Sequence, residues 1–418
     1  MSSGNLKAGV AQATIDVRPG VTLAGHLAAR RAQSVANALL AKALVLDDGC
    51  TQLGIVSLDL YGITGGTCER VARSLGDSLG WASEQLLLVA SGTRGAPVTV
   101  PTLGTDEVHR ATLDAAVSAT TQAVTAARES LQEASLGAGV AYLPRLPFNR
   151  RLLTRNLRVI TEWTGVPENE VLAPEGPVDD ELTVLLLRDG RGFPLAILWS
   201  FAADPMFYES AAISAGLPHH VQHQVSERLG RQIPCLYLPG CGGNVGYNFD
   251  LERTSAELAS AITAVTLETP CDPDVALAAA REEVVLPIKD YSRFWDEAEV
   301  EAKWPAGLFA YRREQELMAQ AGEKAVPTVV QAMRLGAFGL AGLPGEPFVE
   351  LGLAVEQASP FRRTLVAGNA NDSIGYLPTE EALRHGGQET WLARFAKAGR
   401  GAGEFVAMEA ADMLMELG

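Results

Sequence analysis

The chain has 418 residues, 47% of them hydrophobic and 20% charged, with a formal net charge of −16; this is globular composition with enough apolar residues for a sizeable core. The acidic balance, without clustered Lys and Arg, excludes a nucleic-acid surface, and no run of eighteen apolar residues is present to span a bilayer. Five cysteines (Cys50, Cys68, Cys235, Cys241 and Cys271) are an odd number without CxxC spacing, which excludes a fully paired disulfide framework and gives no zinc-knuckle signal.

The first residues, MSSGNLKAGVAQATIDV, carry no basic region ahead of an apolar core, so they read as the start of a first strand and imply a cytoplasmic protein. Apolar runs at 41–47 and 52–60 flank Asp47-Asp48-Gly49, where Asp and Gly accept the backbone of a tight hairpin. A helix near 66–80, a strand at 85–90 and an alanine-rich helix near 106–132 follow. Strands are expected at 182–187, 194–202 and 233–240, each apolar enough for a sheet covered on both faces. With helices at 218–229 and 252–267 between and after them, the pattern is that of a layered α/β domain. Beyond Pro270, amphipathic stretches at 273–283 and 290–321 flank the short strand EVVLPIK and predict a mostly helical excursion near 271–325, over the site or in an oligomer contact. Strands return at 327–342 and 363–369, and a helix at 402–417 closes the chain. No repeat or long linker is visible, so residues 1–418 are expected to form one domain.

Several phrases stand out in order: AGVAQATIDVRPG, AKALVLDDG with IVSLDLYGI, LLLVASGTRGAP, PFNRR, LAILWSFAADP, ISAGLP, LPGCGGNVGYN, LAGLPGEPF and GNANDSIGYLPTEEALRHGGQE. In this order, over nearly all of the chain, they resemble the catalytic domain of the neutral ceramidase family. The resemblance implies an α/β fold with a mixed sheet, an active site at loop ends, and no C-terminal immunoglobulin-like module. It does not carry the chemistry with it. The family's His-x-His-Ser-Gly-Pro is here Gly92-Thr93-Arg94-Gly95-Ala96-Pro97, its Ala-x-His-Pro is Ala202-Ala203-Asp204-Pro205, and its Gly-Gly-Tyr-Glu is Gly386-Gly387-Gln388-Glu389. Among the implied zinc ligands only the glutamate of Pro-Gly-Glu persists, as Glu346. Two nearby acidic positions are altered as well, to Gly216 and Asn244.

A catalytic zinc needs three His, Cys or carboxylate ligands and an open position. The inherited positions offer Gly92, Asp204, Glu346 and Gln388, with the permanent cation Arg94 beside them, so no metal and no other cofactor is expected. A carboxylate left in a former dication pocket needs a counter-charge, and Arg94 has the planar fork to supply it. Arg94, Asp204, Glu346 and Gln388 are therefore expected as a rebuilt catalytic site for a small amide-, amine- or acyl-bearing molecule. Asp204 or Glu346 would be the acid/base and Arg94 the anion clamp, in hydrolysis, ring closure or acyl transfer. The rival readings are a buried ion network in a non-catalytic binding or assembly protein, and an oxygen-ligated hard cation in place of zinc.

Thr93, His219, Cys241, Asn244, Asn371 and Tyr376 are the candidates for substrate contact. Cys241 follows a strand in a Gly-rich turn, where a nucleophile can be presented; the bland reading is a buried small thiol. His219, His220 and His223 cluster at a helix start without zincin spacing, and Asp59, Asn371, Asp372 and Tyr376 suit loop orientation as well as substrate contact. The paired arginines Arg30-Arg31 and Arg150-Arg151 read as solvated or locally salt-bridged faces. A homo-oligomer is open, and a small-molecule substrate is expected.

Overall fold

In the computed structural model, residues 5–105, 107–161, 170–207, 211–289 and 305–418 are described. Three strands come first: β1 (Lys7–Ile15), β2 (Leu39–Asp47) and β3 (Gln52–Leu58). The turn between β2 and β3 is the expected one: Gly49 has φ +86°, and the Asp47 and Asp48 carboxylates accept from the amides of Gly49 and Cys50 at 2.7 and 2.9 Å. Next are α1 (Gly65–Leu79), β4 (Leu86–Ala90) and α2 (Arg110–Glu129). Thr64 caps α1 through its side chain, and Gly80 ends it in the left-handed region.

The same order then recurs. The second unit has β5 (Gln132–Tyr142), β6 (Glu181–Asp189), β7 (Pro194–Ser200), α3 (Leu217–Leu229), β8 (Cys235–Tyr237) and α4 (Leu251–Glu268). The third has β9 (Leu277–Pro287), α5 (Pro305–Ala321), β10 (Ala325–Leu335), β11 (Phe338–Gly342), α6 (Val349–Ala358), β12 (Arg363–Ala367), the short α7 (Glu380–His385) and α8 (Ala402–Leu417). In each unit the first three strands pair antiparallel in sequence and the fourth pairs parallel to the third. The three units thus share one plan, although no repeat is visible in the residues. The repetition lies in strand order and in inward-facing apolar positions, which many different sequences satisfy.

The first two units join through two residue pairs of β1 and β5, which makes a continuous mixed sheet of eight strands; the third unit is a separate sheet of four. The inner faces of all three units bury one central apolar cluster, to which each contributes eight described side chains, Leu44, Leu198 and Leu340 among them. The outer faces are covered by each unit's own helices, forming three further clusters. Both faces of the eight- and four-stranded sheets are therefore largely covered, as the apolar strand runs implied. No described helix is long and apolar enough to cross a membrane.

Residues 273–283, expected as helix, are instead largely the strand β9, paired with β10 from Leu277↔Leu335 to Pro287↔Ala325. Ala278-Ala279-Ala280 followed by Arg281-Glu282-Glu283 has helical propensity, but β9 is an edge strand whose outward side tolerates charge, and pairing overrides propensity. Of the helix expected over 290–321, residues 290–304 lie outside the described residues and the remainder is α5.

Candidate active site

The loops that leave the third and fourth strands of all three units meet at one point. They bring Tyr61, Gly92, Asp204, Gly243, Glu346 and Asn369 around a chamber of about 20 Å³, room for a single water. Glycine makes this convergence sterically feasible. A Cβ on Gly243 would stand 2.4 Å from the Glu346 carbonyl oxygen, and one on Gly242 would stand 2.8 Å from the Ala203 Cα. Gly92 has φ +79°, a conformation that the family's ligand-bearing residue would adopt only with strain.

Outside the chamber lies a cleft of about 490 Å³. The long connections between first and second strands in units one and two supply Gly25, Leu27, Phe148 and Arg150 to it, and the loops beyond fourth strands supply Arg94, Tyr247 and Phe395. Tyr61 and Asp204 line both spaces and form the wall between them.

The charged groups form a chain. Arg94 Nη2 and Arg150 Nη1 both donate to Asp204 Oδ2, each at 3.2 Å. Arg150 Nε donates to Glu389 Oε1 at 2.9 Å, and Arg151 Nη1 to Glu389 Oε2 at 2.9 Å. Arg151 then forks onto Glu175, which also meets His385 Nδ1 at 2.9 Å. Arg151 and Glu389 are fully buried. Burial pushes the Glu389 carboxyl up, but Arg151 and Arg150 outweigh it and hold the pKa below the ordinary value. Burial likewise opposes the Arg150 charge, yet Tyr376, Glu389 and Asp204 hold its pKa above normal. Arg150 Nη2 also donates to the Gly243 carbonyl and, at 3.2 Å, to the Tyr376 hydroxyl.

Glu346 is differently placed. Its Oε2 is buried and accepts no hydrogen bond from a described residue. Desolvation and the neighbouring Asp204 push its pKa up to about 7, against the pull of Arg94, Arg150 and a hydrogen bond with Tyr61. The Arg94 guanidinium lies 4.9 Å from the Tyr61 ring centre. Gly25 makes room for Arg94: a Cβ there would fall 2.3 Å from Nη1.

Of the residues singled out from sequence, Arg94, Asp204, Gln388 and Tyr376 line the cleft, and Glu346 lines the chamber behind it. Gln388 Nε2 donates to the Tyr311 hydroxyl at 2.9 Å. The other five stand apart. Thr93 turns away and donates to the Ser214 carbonyl at 3.1 Å. Asn244 is buried, bonding Glu350 and the Val349 amide at 2.9 and 2.8 Å, and so holds the start of α6. Asn371, at φ +58°, ties Leu88 to Gln331. His219 lies in the first turn of α3, its ring stacked on His223, and lines neither space. Cys241 faces a separate water-sized cavity beside Asp179 and Glu356, and burial raises its thiol pKa well above normal, which removes the thiolate a nucleophile needs. None of these five side chains lines the cleft or the chamber.

Arg150, Arg151, Glu389 and Tyr61 were not singled out. PFNRR and the final Gln-Glu both lie in segments that carry the family resemblance, which was the available signal. Two adjacent arginines in an acidic chain otherwise look solvated, and Glu389 lies 239 residues from Arg150.

The donors present do not fit a catalytic zinc. Gly92 offers no ligand, Gln388 is engaged with Tyr311, and Asp204 already accepts from two guanidiniums. Among the described residues no group of three His, Cys, Asp or Glu is placed to hold a metal.

No family model and no curated relative matches the sequence. Solved structures do. A structure described as ceramidase complexed with C2 aligns at a TM-score of 0.75 and 17% identity over 99% of this chain and 75% of that one. Neutral ceramidase from Pseudomonas aeruginosa aligns at 0.73 and 17% over 99% and 74%. At that identity likeness establishes architecture and leaves activity open: the chain has the fold of the neutral ceramidases.

Proposed function

We propose that the chain is an acid–base enzyme that works without zinc on a small amide-, amine- or acyl-bearing molecule held in the cleft. The observation that carries this is Glu346: a carboxyl with one unpartnered buried oxygen and a pKa near 7, next to a cleft with two guanidiniums. Such a group exchanges protons at neutral pH. An attacking amine or hydroxyl passes its proton to Glu346, by way of the single water that the chamber has room for, while its lone pair bonds to the acyl carbon. The carbonyl electrons move onto oxygen, facing Arg94 and Arg150. Collapse expels the leaving group, which takes the proton back from Glu346. When the nucleophile belongs to the substrate or to an acceptor, the outcome is ring closure or acyl transfer, chemistry suited to specialised biosynthesis. Asp204 holds both guanidiniums in place, and Gln388 and Tyr376 orient the ligand.

A ligand-binding protein without turnover is the second reading, favoured by the mutual pairing of Arg94, Asp204 and Arg150. Turnover of a panel of acyl amines separates the two. The first reading expects a pH–rate profile with an inflection near 7 that Glu346→Gln removes, together with a rate loss of at least about 100-fold. A parent rate that is flat from pH 5 to 9 overturns it. Purified protein is also expected to hold well under one zinc per chain by plasma mass spectrometry and to keep its activity in EDTA; stoichiometric zinc would contradict the metal-free mechanism.

A further inference from the structure

We infer that the cleft receives a flat aromatic molecule carrying a carboxylate, with its rings between the aromatic walls and its carboxylate toward Arg94 and Arg150. This rests on the cleft being the working site proposed above. Only 6% of the chain is aromatic, yet Phe148, Phe207, Tyr247, Phe249 and Phe395 wall this one space, with Tyr61 and Tyr376 at its floor. Phe207 and Phe201 both stack with the pocket tyrosine, at 5.4 and 5.8 Å from the Tyr247 ring. The wall is therefore a packed π surface of fixed orientation. Such a surface rewards a rigid ring by stacking beyond burial, whereas a flexible acyl chain loses rotor freedom on entering.

Charge selects the other end of the ligand. In a chain of net charge −16, the charged side chains lining the cleft among the described residues are Arg94, Arg150 and Asp204, two cations against one anion, with Glu389 paired to Arg150 from behind. An ammonium group would meet two guanidiniums there, whereas a carboxylate is drawn by the charges of Arg94 and Arg150, although Arg150 already donates to Glu389, Asp204, Gly243 and Tyr376. The volume, about 490 Å³, lies in the range of small-molecule sites and suits a bicyclic acid.

The test is calorimetric titration with four probes: 2-naphthoate, 2-naphthamide, 2-naphthylmethylamine and decanoate. The expected result is that 2-naphthoate binds at least tenfold more tightly than each of the others. Arg94→Met should remove its advantage over 2-naphthamide. If that variant does not fold, the parent should still weaken toward 2-naphthoate, and not 2-naphthamide, between 20 and 300 mM salt. Equal binding of the acid and the amide, preference for the amine or for decanoate, or no binding of any probe at millimolar concentration overturns the inference. Binding is read without turnover, so the two readings fail separately: the order of the four probes tests this inference whether or not any acyl amine is turned over.

Discussion

Glu346 and Glu389 are both buried glutamates of one site, and their neighbours drive them in opposite directions. Glu389 sits between two guanidiniums that outweigh its burial and hold it ionised, while at Glu346 burial, with Asp204 beside it, outweighs Arg94, Arg150 and Tyr61 and pushes it toward neutrality. The Glu346 pKa is raised on folding, so the folded state binds the extra proton between the unfolded value of 4.5 and about 7. Stability contributed by this group is therefore full below pH 4.5 and falls as pH rises to 7, then stays level. Glu346→Gln does not titrate; thermal melts should show the variant gaining on the parent across that window, by at most roughly 3 kcal/mol. A constant difference from pH 4 to 8 would contradict the assigned environment. Arg151→Leu leaves Glu389 with Arg150 alone and Glu175 with His385 alone, and removing one partner of a buried pair costs on the order of 3–5 kcal/mol; chemical denaturation of that variant measures it. The sequence made Arg94, Asp204 and Glu346 legible because each replaces or retains a residue in a recognisable phrase. The Arg150–Glu389–Arg151 relay was illegible because it depends on which residues burial brings together across 238 or 239 positions.

At the level of elements, the site is a product of strand ends. Six loops emerge after β3, β4, β7, β8, β11 and β12, and small residues let their backbones approach within contact distance. Gly25, in the connection between β1 and β2 at φ +73°, adds to this by abutting a functional side chain: the added carbon of Gly25→Ala would occupy the space of Arg94 Nη1. That variant should lose about 1–3 kcal/mol of stability from strain and overpacking and weaken cleft ligands at least tenfold, as melts and titration together would show. A variant that melts lower but binds unchanged would mean that Arg94 does not touch ligand. Helices and strands with clean periodicity were readable within a few residues, such as the closing helix α8 and the β2–β3 hairpin. The second half of β9 was readable as EVVLPIK, but its first half was not, since an alanine run with charges carries helical propensity and only its partner β10 makes it a strand.

For the whole molecule the decisive feature is that no unit has a private core on its inner face. Leu44 and Leu46 from the first, Leu198 and Leu236 from the second, and Leu340 and Leu365 from the third pack into one cluster, so removing any unit would expose the inner sheets of the other two. Outer clusters under each unit's helices are local, and alone they leave one face of each sheet wet. The units should therefore lose structure together although their plan repeats, unlike stacked repeats that contact only neighbours. Leu236→Ala on β8 tests this. The substitution sits in the second unit, is fully buried, and should cost about 2–5 kcal/mol. Its effect should reach amides of β3 and β11 in the other units as strongly as those of β7, because all three exchange through the same global opening. Native-state hydrogen exchange resolves these strands separately. If Leu236→Ala accelerates β7 while β3 and β11 keep the parent's protection, the units are independent, and the chamber at their meeting point would open one side at a time.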